Sequence, residues 1–204
     1  KEEFHGKPIF GIGALYAGKA DKGLEILKPL KSFGSPIGDA IVPKPFMTHQ
    51  AMLDAGQPKG ACYYWKSEYL KEVSPDLSSK FVEQTINTSS TASIIAAFQL
   101  GGAITDIGEE DTAYSFRDAE HVININTQWQ KNSDPQPHLD WARKTQQHAA
   151  PFSMGSGYVN FASADETQQR VVATYGDKKY KKLVDLKRKY DPDNFFRLNQ
   201  NIKP

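Results

Sequence analysis

The sequence predicts an α+β fold, an antiparallel sheet covered by helices on one face, and three observations predict it. Segments with strand alternation and segments with helical periodicity take turns along the chain. The strand-like segments carry polar residues at every second position: in AEHVININTQW (119–129), Val122, Ile123 and Ile125 stand against Asn124, Asn126 and Gln128. A parallel sheet buried on both faces would read as unbroken apolar runs, so this alternation points to antiparallel pairing. The chain has 204 residues, 39% of them hydrophobic, which is apolar mass enough for a core.

PIFGIGALY (8–16) reads as a buried strand. Ala20, Leu24, Leu27 and Leu30 recur at helical spacing and predict a helix over 20–31, stopped by Gly34. Residues 39–42 read as a short second strand before Pro43 and Pro45, and FMTHQAMLD (46–54) as a short helix. The aromatic-rich ACYYWKSEYL (61–70) alternates like a strand. SPDLSSKFVEQTIN (74–87) reads as a helix, with Ser74 as N-cap and Pro75 at the first helical position. TASIIAAFQLGGAITDI (91–107) reads as a long strand broken or bulged at Gly101-Gly102. Residues 119–129 form the next strand and 135–147 a helix. GSGYVNF (155–161) reads as a Gly-rich turn into an extended piece. Ser163 and Glu166 suggest a capping box for a helix ending at Tyr175-Gly176, and a second helix runs over 177–189, ended by Pro192.

Composition narrows the function. With 25 basic and 24 acidic residues the net charge is +1, so no global field draws in nucleic acid or a membrane surface. No apolar run approaches the roughly 20 residues that span a bilayer. No signal peptide is visible, and the expectation is a soluble protein, cytoplasmic or secreted. The single Cys62 rules out an internal disulfide and a multi-cysteine metal site. The five His, at 5, 49, 121, 138 and 148, include no pair at metal-ligand spacing, so no metal is expected. The chain opens on Lys1 rather than Met, which suggests a processed chain or a fragment.

Four features carry candidate chemistry. The basic run KKYKKLVDLKRK (178–189) reads either as a nucleic-acid contact or as the solvated face of an amphipathic helix with Tyr180, Leu183 and Val184 packed inward; the placement of the charges favours the second. Gly101-Gly102 reads as a bulge or as a close approach of ligand to backbone. Asn124, Asn126 and Gln128, three neutral amides on one strand face, read as a pocket lining that hydrogen-bonds a substrate or as a plain solvent face. Tyr158 and Asn160 point the same way in an extended piece, so a phenol and an amide face one pocket. A Tyr serves as a general base or as a donor to developing charge, and an Asn amide offers one donor group and one acceptor to a heterocycle edge.

Several stretches resemble one family in order and spacing. GYVNFASAD (157–165), YGDKKYKKLVDLKRKYDPDNFFRLNQNI (175–202) and LGGAITDIGEEDTAYSFRDAEHVININTQW (100–129) are similar to berberine-bridge-enzyme-like FAD-linked oxidases, and the likeness extends to about residue 20. The resemblance implies a two-lobed protein. One lobe holds most of the FAD and its covalent attachment; the other, an antiparallel sheet with helices, holds the substrate. On this reading residues 1–150 are the substrate lobe. Residues 151–204 are a berberine-like return segment that packs on an FAD lobe not contained in these 204 residues, and the aromatic tail belongs to that contact. Cys62 does not match the flavin-linking cysteine of the family.

The resemblance further implies hydride transfer from an alcohol, sugar or C–H substrate to flavin, with oxygen as acceptor giving hydrogen peroxide. It implies Tyr158 as general base, Asn160 and Asn199 in contact with FAD, and Asn124, Asn126 and Gln128 toward a small-molecule substrate. The chain departs from the family in two places: many members have an acid or Tyr on the strand where this one has neutral amides, and Phe116 stands where a His often precedes the Arg. The competing expectation is a non-enzymatic remnant of the fold kept as a binding module.

Overall fold

A computed structural model describes residues 2–204, which divide into two compact units, one up to Lys59 and one from Gly60 to Pro204.

In the first unit, helix α1 spans Ala20–Lys31, as the Leu spacing predicts, and helix α2 spans Phe46–Gln50, followed by a 3-10 turn at Ala51–Gly56. After α1 the chain reverses at Gly34, whose φ is +64°. Lys31 reaches the carbonyl of Ile41 at 2.7 Å and the Asp39 carboxylate at 2.7 Å, closing the loop after the helix. The two strands expected here are not formed. Residues 8–16 and 39–42 have no ladder partner among the described residues, and Ile9 and Phe10 are exposed. A strand satisfies its N–H and C=O groups only through a neighbour, so apolar alternation without one leaves irregular chain.

The second unit holds the sheet. Strand β1 spans Ala61–Leu70, β2 Ile94–Gln99 and β3 His121–Gln130, in the order β1-β3-β2 and antiparallel throughout. The strand expected over 91–107 is broken rather than bulged at the glycine pair: only six residues are strand, it stops at Gln99, and Gly101 (φ +125°) and Gly102 (φ +53°) turn the chain into a 3-10 piece at Gly102–Ile104. Helix α3 spans Pro75–Ile86 and α4 Gln136–Ala149, and both lie on one sheet face. The register puts Tyr64, Leu70, Ile123 and Ile125 on that face, where they close a core with Leu77 of α3 and Trp141, Ala142 and Ala149 of α4. Ser74 caps α3 by accepting from the Leu77 N–H at 3.2 Å. Ser74→Ala is expected to cost about 1 kcal/mol, measured as a lower urea midpoint with an unchanged m-value.

Helices α5 (Gln168–Tyr175) and α6 (Asp177–Tyr190) meet at Gly176, φ +73°. The capping box expected at Ser163 and Glu166 is not the start of α5. Thr167 is the N-cap, accepting from Arg170 N at 3.3 Å. Ser163 instead clasps the free edge of β1: its hydroxyl accepts from Trp65 N and donates to Trp65 O, both at 2.9 Å. An unpaired edge strand offers exactly such groups in the sense that every second N–H and C=O points outward. The basic run is also not wholly a solvated face. Lys179 is buried, its ammonium donating to Glu109 at 2.6 Å, to Tyr114 O at 2.9 Å and to Ser115 Oγ at 2.9 Å.

Candidate functional site

The site lies on the sheet face turned away from α3 and α4. The ladder pairs Tyr63 with Gln128, Trp65 with Asn126, Ser67 with Asn124 and Tyr69 with Val122; on the other side Ile94 faces Asn126, Ala96 faces Asn124 and Phe98 faces Val122. These residues share one face.

A strap from residue 153 to 163 runs along the β1 edge and brings the candidate residues to this face. Met154 N donates to Tyr69 O at 2.9 Å and Tyr69 N to Ser156 O at 2.7 Å. Tyr158 N donates to Ser67 Oγ at 3.1 Å. Gly157 passes so close that a Cβ there would lie 2.2 Å from the Ser67 carbonyl oxygen. On the helix side of the same edge, buried Glu68 accepts from Gln146 at 2.7 Å, from Ser153 at 2.5 Å and from Arg170 at 2.9 Å, tying strap, α4 and α5 together.

Tyr158 and Asn160 do converge, though not through an extended piece. Val159–Phe161 is a 3-10 turn, and it curls the amide back so that Asn160 Nδ2 donates to the Tyr158 hydroxyl at 2.7 Å. Rings fix the phenol: Phe161 stands edge-on to Tyr158 at 5.2 Å and Tyr114 at 6.4 Å. Phe161 also stacks on Trp65 at 5.8 Å and approaches Phe98 at 5.9 Å, so its ring spans the face between β1 and β2. Tyr114 is itself placed from three sides: Tyr69 meets it edge-on at 6.3 Å, Arg117 lies 5.3 Å from its ring centre, and Lys179 holds its carbonyl. Burial first, and then the hydrogen bond to Tyr114, push the Tyr69 phenol well above the ordinary tyrosine range, so it stays protonated.

Asn124 and Asn126 are buried, 6% and 5% exposed, which removes the plain solvent-face reading. Asn124 Oδ1 and Asn126 Nδ2 have no hydrogen-bond partner. Gln128 follows on the same face at the Tyr63 pair. Asn199 sits apart on the exposed tail at φ +59°; its neighbour Gln200 donates to Ser163 O at 3.0 Å, which brings the tail to the end of the strap. Before it, Asp191 accepts from Phe195 N at 2.7 Å and Phe196 N at 3.1 Å and pairs with Lys187, so two exposed Phe rings are presented on a rigid turn.

A cavity of about 570 Å³ opens beside Asn160, lined by Tyr63, Trp65, Arg143, Ser163 and Asp165. A larger one of about 640 Å³, between Arg117, Glu109 and Tyr175, contains none of the candidate residues, and the chemistry is assigned by geometry rather than size. Sequence reading missed Asp165. Its carboxylate accepts from Tyr64 at 2.7 Å, Arg143 at 3.0 Å and Lys66 at 3.1 Å. Burial alone would raise its pKa, but these three donors outweigh it and hold Asp165 below the usual carboxylate range. A depressed carboxylate stabilises the fold above its unfolded value and loses that contribution as pH falls. The stability difference between the native protein and Asp165→Asn is therefore expected to shrink between about pH 5 and about pH 3, measured by urea unfolding at each pH.

Among the described residues there is no group of His, Cys, Asp and Glu arranged to hold a metal, and no helix is long and apolar enough to cross a membrane.

Comparison with known proteins meets this geometry. A family model described as berberine and berberine like matches residues 157–203, the strap, α5, α6 and the tail. An FAD-linked oxidoreductase of Dictyostelium discoideum is 28% identical over 195 residues, covering 95% of this chain and 42% of that protein. Tetrahydroberberine oxidase of Berberis wilsoniae is 30% identical over 159 residues, covering 68% of this chain and 29% of that one. In three dimensions, 6-hydroxy-D-nicotine oxidase of Arthrobacter nicotinovorans superposes with a TM-score of 0.72 at 20% identity, covering 92% of this chain and 42% of that one. Berberine bridge enzyme of Eschscholzia californica superposes at 0.57 and 23% identity, covering 71% and 33%. At these identities the structural matches show the fold alone. The chain spans less than half the length of each of these proteins.

Proposed function

We propose, for a chain that belongs to the berberine-bridge-enzyme-like family of FAD-linked oxidoreductases, that the sheet face turned away from α3 and α4 is the substrate side of a flavin oxidase active site. Residues 1–150 are the substrate lobe of that enzyme, and residues 151–204 are the segment that packs against its FAD lobe. The exposed Phe195, Phe196 and Leu198 suit such a contact.

The family implies FAD, and the residues present suit a flat polar ring. Asn160 is exposed and lines the cavity beside Tyr63 and Trp65, where an amide can meet a heterocycle edge. Asn160 and Asn199 would hold the cofactor from this chain. When bound, FAD supplies the hydride acceptor, with oxygen as terminal acceptor and hydrogen peroxide as product.

The chain's own residues do the rest. Tyr158 takes the proton of the substrate hydroxyl, while the hydrogen of the C–H bond would leave as the hydride. Asn160 occupies one lone pair of the phenol oxygen and fixes the direction of the other, which orients the proton transfer. Asn124, Asn126 and Gln128 orient the substrate, and Phe161 and Trp65 exclude water above them. Neutral amides cannot act as bases, so the base role falls to Tyr158. The observation that carries this reading is the 2.7 Å bond from Asn160 to Tyr158 beside the unpartnered amides.

The test is the visible spectrum of the full-length protein before and after acid precipitation, followed by peroxide release on a substrate panel. Yellow colour with peroxide release supports the reading. A colourless protein favours a fold kept for binding and ends it.

A further inference from the structure

The cavity of about 640 Å³ lies within the second unit, between the turn at 105–118 and the junction of α5 and α6. It contains none of the residues of the proposed substrate side and is independent of that reading.

The charges around this cavity do not cancel. Glu109 is fully engaged: one oxygen accepts from Lys179 at 2.6 Å and the other from the Arg117 backbone N–H at 3.3 Å. Asp118 pairs with Lys71. Arg117 forms no ion pair among the described residues. Its guanidinium donates to Ile104 O at 2.9 Å and to Thr112 Oγ1 at 2.6 Å, and lies 5.3 Å from the Tyr114 ring centre. An arginine carries five N–H donors, so most of these have no acceptor. Nε is one of them but is shut off from solvent, which leaves the second hydrogens of the two terminal nitrogens for a ligand. One positive charge is thus left over at a half-buried position, where water solvates it incompletely.

A second donor stands in the same wall. The Tyr175 hydroxyl has no hydrogen-bond partner among the described residues. Burial first, and then neighbouring Tyr180, hold this phenol above the ordinary tyrosine range, so it keeps its proton to donate. The other hydroxyls of the cavity are already used: Thr105 donates to Gly102 O at 2.8 Å and Ser115 to Tyr175 O at 2.9 Å. The remaining side chains of the wall are apolar, namely Ile107, Phe116, Met154 and Ala173.

We infer that this cavity binds a monocarboxylate with an apolar body, the carboxylate on Arg117 and Tyr175 and the body against Ile107, Phe116, Met154 and Ala173. A carboxylate only accepts hydrogen bonds, which suits donors that lack acceptors, and its planar pair of oxygens matches the guanidinium fork. An ammonium would face the surplus positive charge. A phosphate dianion would bring one charge more than Arg117 balances. The volume is that of a small-molecule site. Phe116 and Met154 also pack on the cluster of Tyr69, Ala119 and Val122 that Tyr158 joins, so the two sites share a wall.

The test uses the full-length protein and two probes, 2-naphthoate and its methyl ester, which differ in the charge of the head group. Binding is read by titration calorimetry, so turnover is not required. The acid is expected to bind at least about tenfold more tightly than the ester. Arg117→Gln is expected to remove that difference, and Tyr175→Phe to weaken binding of the acid about tenfold. Ala173→Trp, which fills the cavity from α5, is expected to abolish binding of both. Arg117 also ties Ile104 to Thr112, so if Arg117→Gln does not fold the other two variants decide. An ester that binds as tightly as the acid, no binding of the acid, or an acid affinity unmoved by Tyr175→Phe and Ala173→Trp overturns the inference.

Discussion

Tyr158→Phe in the full-length protein is expected to lower kcat by about 10²–10⁴-fold while flavin content and Tm stay near the native values. The substitution removes one oxygen and nothing else that holds the strap. The Phe ring keeps its edge contacts to Phe161 and Tyr114, and the backbone N–H of residue 158 keeps its bond to Ser67. Asn160 loses its acceptor but is exposed, so water replaces it at little cost. An effect on rate without an effect on folding is the signature of a group acting in the reaction. Steady-state kinetics beside a flavin absorbance spectrum measures it, and a kcat within about twofold of native would remove Tyr158 as the base.

Gly157→Ala is expected to damage both folding and turnover. Any side chain at 157 meets the backbone oxygen of Ser67, since a Cβ would lie 2.2 Å from it, and a backbone carbonyl of a strand held by its pairing with β3 does not swing aside as a side-chain tip does. The strap must lift, which costs about 1–3 kcal/mol as overpacking does. Lifting breaks the bond from Tyr158 N to Ser67 Oγ and moves the phenol. A displacement of about 1 Å at a reacting group is worth about 10²-fold in rate. A lower Tm together with a lower kcat is the expected outcome. Native values for both would mean that the strap has another seat, and that its clasp on β1 does not set the position of Tyr158.

The two variants part cleanly because one acts on chemistry and the other on placement. They also differ in how visible they were. Tyr158 announces itself through Y-x-N after a Gly-rich lead-in. The constraint on Gly157 arises from a strand ninety residues earlier in the chain and has no local sign.

Much of the fold was legible for the same local reasons. Helix α1 follows from Leu24, Leu27 and Leu30, helix α3 from Ser74 and Pro75, strands β1 and β3 from alternation, and the break between α5 and α6 from Gly176. Each depends on residues within a few positions of one another, where spacing, caps and glycine conformation act directly. Strand character at 8–16 and 39–42 was misread because a strand exists only with a neighbour, and propensity says nothing about one. Ser163 and Glu166 matched a capping pattern but were drawn off by longer-range partners: Trp65 for the serine, Lys66 and Arg170 for the glutamate. Lys179 sat in a run that looked solvated, until the turn at 109–115 supplied a carboxylate and two oxygens to bury it.

From its sequence alone this chain settles its α+β class, the order of its main helices and strands, its family, and the pair Tyr158 and Asn160 as the place to look. Packing decides the rest: that Asn160 reaches Tyr158 through a 3-10 turn, that Asn124 and Asn126 are buried without partners, and that Asp165 and Lys179 are anchored by distant groups. The division has a physical cause. Local order is set by torsion and by contacts a few residues apart, whereas burial and hydrogen-bond partnership depend on which distant segments meet, and that is fixed only when the sheet closes against its helices and its strap.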